Sequence, residues 1–198
     1  MGRWDGVTIT LPGGGALQCR PATADRADDV PAVLGERGVG GCWCMWWRQR
    51  GAEWKATAPA ERKAMLAALM AEATPPGVLA YLDHRPVGWC AVAPREQYPR
   101  MQASATFGPV DEAPVWAVSC LFIHRTVRRR GVGAALVEAA VAMATAYGAP
   151  GVEGIPVVPG GQRSPDLYTG VPSMFEPLGF TEIARREPDR PIVRLAVG

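Results

Sequence analysis

The residues best placed to do chemistry lie between Cys120 and Ala134. An apolar run, Val115-Trp116-Ala117-Val118-Ser119-Cys120-Leu121-Phe122-Ile123, leads into Arg128-Arg129-Arg130-Gly131-Val132-Gly133-Ala134, and an Ala-rich stretch continues to Tyr147. Read as strand, basic glycine loop and helix, this is a cradle for phosphate. The first-turn N–H groups of a helix have no intrahelical acceptor, and the helix dipole favours an anion in front of them. Glycines at 131 and 133 remove side chains that would hold phosphate oxygens off the backbone. Arg128, Arg129 and Arg130 can add charged contacts. No Gly-Lys-Ser/Thr follows, so the loop is not a P-loop, and it lacks the third glycine and later acid of a dinucleotide fingerprint.

The elements that must position this loop follow from periodicity and breakers. Residues 7–11 and 16–20 alternate across Pro12-Gly13-Gly14-Gly15 and predict a hairpin. A helix over 25–37 with Thr23 as cap comes next, and a second, opened by Pro59, runs over 60–73. A second hairpin pairs 78–82 with 87–92. Residues 94–114 read as irregular. The central strand 115–123, the helix 134–147 and a short strand 151–158 form the middle of the fold. A Gly/Pro-rich loop over 159–172 holds Tyr168, a short helix covers 172–180, and strands 180–186 and 192–197 close the chain. This order predicts an α+β domain with one core.

The spacing Arg128-x-x-Gly131-x-Gly133, placed between strand and helix, resembles motif A of the GCN5-related N-acetyltransferases, the GNAT family. Leu121-x-Ile123 fits the strand entering that loop. Ser173-Met174-Phe175-Glu176-Pro177-Leu178-Gly179-Phe180 looks like motif B, and Leu17-x-x-Arg20-x-Ala22 like the first strand running into the first helix. Gly41-Cys42-Trp43-Cys44-Met45, followed by aromatics and Arg48, resembles a bacterial subgroup of the family. The likeness covers roughly residues 16–197. It implies a mixed, mostly antiparallel central sheet flanked by helices, with strands 115–123 and 151–156 splayed apart, and a single domain over 1–198 with residues 1–15 as an N-terminal strand extension.

The resemblance implies acetyl transfer from acetyl-CoA to a primary amine of a small molecule. The expected cofactor contacts are Leu121, Phe122, Ile123, Arg128, Arg129, Arg130, Gly131, Val132, Gly133 and Ala134, with the main chain of Leu121 and Ile123 pairing with the pantetheine arm. A main-chain N–H near Leu121 would face the thioester oxygen. An alkyl ammonium of pKa near ~10 must lose a proton before it attacks, so a base is needed. Glu153, on the short strand beside the splay, is the first choice, with an outward-facing surface Glu the alternative. The tyrosine that protonates the leaving thiolate is replaced by Phe175, so Tyr168 or Ser173 could substitute, or water could. Tyr168 is equally readable as a loop anchor. Cys120 could form a covalent acetyl-cysteine, though a small buried core residue is the plainer reading. His124 suits a loop-packing or phosphate contact.

Trp43, Trp46 and Trp47 are expected to line the acceptor pocket, where flat apolar faces suit an aromatic, sugar or cationic group; they could instead pack helices onto the sheet. Cys42-x-Cys44 lacks the spacing and the histidines of a structural zinc site, and so close a pair strains a disulfide. No metal is expected.

Bulk properties narrow the field. The 198 residues are 48% hydrophobic and 20% charged, with a net charge of +2. That is a globular composition with no global drive toward nucleic acid. No apolar run reaches membrane-spanning length, and residues 1–6 do not read as a signal peptide. Five scattered cysteines and no export signal point to reduced thiols in the cytoplasm. A homodimer is permitted by the exposed strands near the C-terminus. The rival readings are a peptide or protein amine acetyltransferase and a non-catalytic acyl-CoA-binding sensor.

Overall fold

A computed structural model describes residues 4–161 and 164–197. Eight strands form one sheet: β1 (Val7–Thr10), β2 (Ala16–Pro21), β3 (Gly77–Leu82), β4 (Arg85–Pro94), β5 (Trp116–Ile123), β6 (Gly151–Gly154), β7 (Thr181–Glu187) and β8 (Arg190–Ala196). Their order is β1-β2-β3-β4-β5-β6-β8-β7. Every pair is antiparallel except β5 and β6. This is the mixed, mostly antiparallel α+β sheet expected from the sequence.

Helix α1 spans Asp29–Leu34, α2 Gly51–Ala56, α3 Pro59–Met70 and α4 Val132–Ala146. Helix α4 is the crossover between the two parallel strands. Its Leu136, Val137, Ala140 and Met143 are buried with Val118 and Leu121 of β5 and Cys90 and Val92 of β4. The opposite sheet face, carrying Leu79, Trp89 and Ala91, is covered by α1, α3 and the segment holding Trp43 and Met45. Because both faces are covered, β4 and β5 read as nearly continuous apolar runs rather than alternating ones.

A bulge interrupts β5. Ala91 pairs with Cys120 and Val92 with Val118, so Ser119 is the extra residue. Trp116, Val118 and Leu121 therefore pack on the α4 side, whereas Cys120 and Phe122 lie on the other. Bulges of this kind commonly re-aim a side chain beside an active site.

Several elements differ from expectation for local reasons. The helix predicted over 25–37 is a 3-10 turn, Ala24–Arg26, followed by the six-residue α1. Pro31 lacks the N–H that would carry a continuous helix. The Thr23 hydroxyl makes no cap bond and instead accepts from Arg26 Nη1 at 2.6 Å. Strand β6 stops at Gly154 rather than running to 158. Pro156 has no N–H for a ladder, and the Val157 and Val158 N–H groups turn to Gly170 O and Asp189 O, each at 2.9 Å. The stretch 94–114 is not wholly irregular: it holds a 3-10 turn, Arg95–Gln97, and a single helical turn, Pro99–Gln102. Pro177 divides the helix expected over 172–180 into two 3-10 turns.

Phe175 ties the second of these turns to the core. Its ring is fully buried and meets Phe180 edge-on, with centroids 5.2 Å apart. It also lies flat over Gly154, where any Cβ would overlap it. Phe175→Ala should therefore destabilise the fold by about 3–5 kcal/mol, read as a lower urea midpoint with an unchanged slope.

Candidate active site

The glycine loop has a backbone shape suited to an anion. Gly131 is left-handed at φ 82°, and so is Arg129 at φ 60°. A backbone turning in this way gathers successive N–H groups on its concave side. Helix α4 starts from Gly131 with no side-chain cap and no acidic residue in its first turn. Its leading N–H groups are therefore unsatisfied by side chains and favour an anion.

A cleft of about 710 Å³ opens directly in front of this helix end. Its walls include Leu121, Phe122, Ile123, Arg128, Arg129, Gly131, Val132, Gly133 and Ala134, facing Tyr168 and Met174 on the opposite side. The structure thus brings together nine of the ten residues proposed for the cofactor; Arg130 is not part of this lining. Arg128 Nε donates to Ile123 O at 3.1 Å, which folds the loop back on its own strand. His124 bonds Thr126 Oγ1 at 2.8 Å and so packs within the loop.

The cleft continues into a wedge between β5 and β6. Their parallel pairing covers only Trp116–Val152, Ala117–Glu153 and Val118–Gly154. Beyond it, β5 loses its partner, as the splay expected from sequence requires. The wedge is shared with chain, however. The Leu121 N–H donates to Tyr168 O at 2.6 Å, and the next residues on that side bond to the strand leaving β6. This corrects the expectation that the Leu121 N–H is open to the thioester oxygen. The N–H and C=O of one strand residue point to the same side, and facing direction repeats every second residue. The Leu121 C=O and Ile123 N–H therefore still face the cleft.

Glu153 is almost fully buried. Arg95 Nη1 donates to one carboxylate oxygen, and Arg194 holds the other with Nη2 at 2.6 Å and Nε at 3.1 Å. Arg194 in turn clasps Asp111 at 2.7 and 2.9 Å, and those bonds hold the Asp111 carboxyl below its usual value. With both oxygens engaged by guanidiniums and the side chain 1% exposed, Glu153 in this arrangement is an ion-pair partner shielded from an entering amine.

Tyr168 is half-buried. Burial, then the neighbouring Cys120 and Cys42, push its phenol up to about 12. Cys120 is partly exposed, and its thiol bonds that of Cys44; this contact and burial hold the Cys44 thiol well above its ordinary value. All five cysteines are free. Among the described residues no group of three or more His, Cys, Asp or Glu is placed to hold a metal. Likewise no helix among them is long and apolar enough to cross a membrane.

The tryptophan segment divides in two. Trp43 is 3% exposed and belongs to the core under α3. Trp46 and Trp47 line a separate cavity of about 450 Å³ together with Arg50, Gly51, Arg100, Ala103 and Ser104. Several aromatic faces are already covered by the protein's own cations. Arg100 lies 3.8 Å over Trp46, Arg62 3.6 Å over Trp54, Lys63 5.1 Å over Trp43 and Arg48 4.9 Å over Tyr98. This stacking takes up a face of Trp43 and of Trp46, whereas Trp47 meets Phe107 edge-on and carries no cation among the described residues. Arg95, Arg100 and Arg194 were missed from sequence, because their partners lie 41–58 residues away.

The uncapped helix end, its cleft and the splayed parallel pair define an acyl-CoA acyltransferase architecture. A family model described as Acetyltransferase (GNAT) family matches residues 42–169, and the chain belongs to that family. It is an acetyl-CoA-dependent acyltransferase. The fold is shared with the GNAT domain of S. lividans PAT, at 15% identity and a TM-score of 0.59, covering 97% of each chain. It is shared as well with Mycobacterium smegmatis RimJ in complex with CoA-disulfide, at 15% identity and TM-score 0.56, covering 97% of this chain and 87% of that one. An N-acetyltransferase from Staphylococcus aureus Mu50 aligns at 11% identity and TM-score 0.53, over 91% of this chain and 98% of its own. No curated protein sequence matches.

Proposed function

We propose that this enzyme moves an acetyl group directly from acetyl-CoA to the primary amine of a small molecule. One observation carries the reading: a single cleft runs from the uncapped start of α4 along the unpaired end of β5 to Tyr168. In this scheme the N–H groups of residues 129–134 hold the pyrophosphate, and Arg128 and Arg129 flank it. The Leu121 C=O and Ile123 N–H align the amide-rich arm. Acetyl-CoA supplies the thioester carbon that the amine attacks. Residues 1–198 act as one unit, and the Gly41–Met45 segment marks a bacterial subgroup.

Tyr168 is the donor to the departing sulfur. A phenol pushed up to about 12 stays protonated at neutral pH, so the proton is present, and the same shift makes it a weak donor whose contribution lies at the low end for an acid catalyst. It replaces the tyrosine that Phe175 cannot be. Glu153 anchors the strands rather than taking the amine proton. Arg100 and Arg190 lie near enough to pull the Tyr168 phenol down against burial. The same positive field disfavours the ammonium form of an entering amine, and the proton that the nitrogen loses on becoming an amide replaces the one Tyr168 gives to the sulfur. Cys120 packs against Cys44 and takes no acyl group.

Release of free CoA from acetyl-CoA in the presence of an amine panel tests the reading. Turnover supports it, and a protein that binds acetyl-CoA but acetylates no amine is the sensor instead. Tyr168→Phe should lower kcat by about 10²-fold, the low end for general acid catalysis, because a thiolate of pKa near ~8.5 is a fair leaving group. The KM for acetyl-CoA should stay put. An unchanged kcat would retire Tyr168 as the acid.

A further inference from the structure

The geometry points to an anion subsite in the cavity beside Trp46, which selects acceptors carrying a carboxylate as well as an amine. This deepens the acetyltransferase reading and rests on it. Two arginines and a serine line it. Arg100 spends its Nε on Trp46 O and Gln49 O, at 2.7 and 2.9 Å, which leaves both its Nη groups without a hydrogen bond among the described residues, Nη2 of them enclosed. A buried guanidinium nitrogen left unpaired is costly unless something bonds to it. Arg50 lines the same cavity, is exposed, and its side chain has no ion pair or hydrogen bond among the described residues. The Ser104 hydroxyl accepts from the Phe107 N–H at 3.0 Å, which leaves its own proton to donate.

No Asp or Glu is among the residues lining this cavity. Two guanidiniums and a hydroxyl, uncompensated by acid, call for a negative group. Arg matches the planar carboxylate with paired N–H bonds, and three donors suit the lone pairs of one carboxylate. Trp46 and Trp47 flank the donors, so the acceptor has an apolar body beside its carboxylate. The volume, about 450 Å³, fits a molecule the size of an α-amino acid. The cavity is linked to the chemistry: Arg100 acts on the Tyr168 phenol, and Trp46 and Tyr168 pack against the same apolar cluster.

The test compares α-amino acids with an apolar side chain, such as phenylalanine, with their carboxamides and their decarboxylated amines, by CoA release. The acid form should win in kcat/KM by about tenfold or more, the scale of a charge-assisted bond. Arg50→Gln should erase that preference, raising KM for the acid without changing kcat. Arg100→Lys should also raise KM for the acid; Arg50 is exposed, so its variant should fold as the native chain does and decides the test. Calorimetric titration with N-acetylphenylalanine reads the subsite without turnover, and its binding should be lost in Arg50→Gln. Amides or decarboxylated amines used as well as the acids would overturn the subsite while leaving the acetyltransferase standing. Preference for O-phosphoethanolamine over every carboxylate would overturn the choice of anion. If acetyl-CoA is never turned over, the acetyltransferase reading fails, and the titration alone then upholds the subsite or sinks it.

Discussion

Gly133→Asp should abolish the thermal stabilisation that acetyl-CoA gives the native protein. Gly133 is the second residue of α4, where the proposed scheme puts the phosphates against the leading N–H groups. A carboxylate there places a fixed negative charge on the anion's own site, within the reach of the helix dipole. The added side chain also meets Met174, whose Cε and Sδ lie 2.8 and 2.9 Å from a Cβ at this position, and Ile123 Cδ1 at 3.3 Å. At a thousandfold excess over Kd, a ligand stabilises by about 4 kcal/mol. For a chain of this length that is a rise of roughly 10 °C. The variant should show none. Gly133→Ala separates the causes: it carries the steric contact without the charge, and should melt lower yet still respond to the cofactor. A full response in Gly133→Asp would mean the phosphates are held elsewhere.

Glu153→Gln should be the most destabilising conservative change in the sheet. Arg95 is 4% exposed and Glu153 1%, so the pair is shielded from water. Arg194 keeps Asp111 when Glu153 is neutralised, but Arg95 keeps only the carbonyl of Phe107. Burial already pulls the Arg95 guanidinium below its ordinary value, with Glu153 acting against that. Removing one partner of such a pair costs about 3–5 kcal/mol, and replacing both with apolar residues of similar volume often costs little. Arg95→Met combined with Glu153→Leu should therefore recover much of the loss in urea denaturation. Catalysis adds a second readout. If Glu153 only anchors, the residual activity of Glu153→Gln keeps the native shape of its pH profile. Loss of an acidic limb in that profile would return Glu153 to the role of base.

The sheet and the phosphate loop were legible because their signals are local. Strand β5 and helix α4 are long periodic runs, and the glycines between them specify a turn whatever lies around it. All eight strands were legible for the same reason, although β6 ends at Gly154, short of the expected 158. What escaped depends on residues distant in sequence. Nothing near Trp46 announces that Arg100 will cover its ring, and nothing near Glu153 announces two arginines from other strands and loops. The bond from Leu121 to Tyr168 likewise joins a strand to a loop of weak pattern. Short elements such as α2 were lost because six residues carry too little periodicity to stand out. The glycine loop and its helix were therefore readable, and the pairing of residues 46–51 with 100–104 around one cavity was not.

The additional residue at Ser119 gives β5 a place to lose length without turning its side chains over. Side chains alternate along a strand; with Ser119 removed, Val118 would still face Val92 and Cys120 would still face Ala91, so Leu121 and Ile123 would stay on the α4 side. An insertion among residues 120–123 would instead rotate the residues beyond it to the opposite face and carry the glycine loop with them. Homologous chains that keep this chemistry should therefore vary the length of this strand at the bulge and not beyond it.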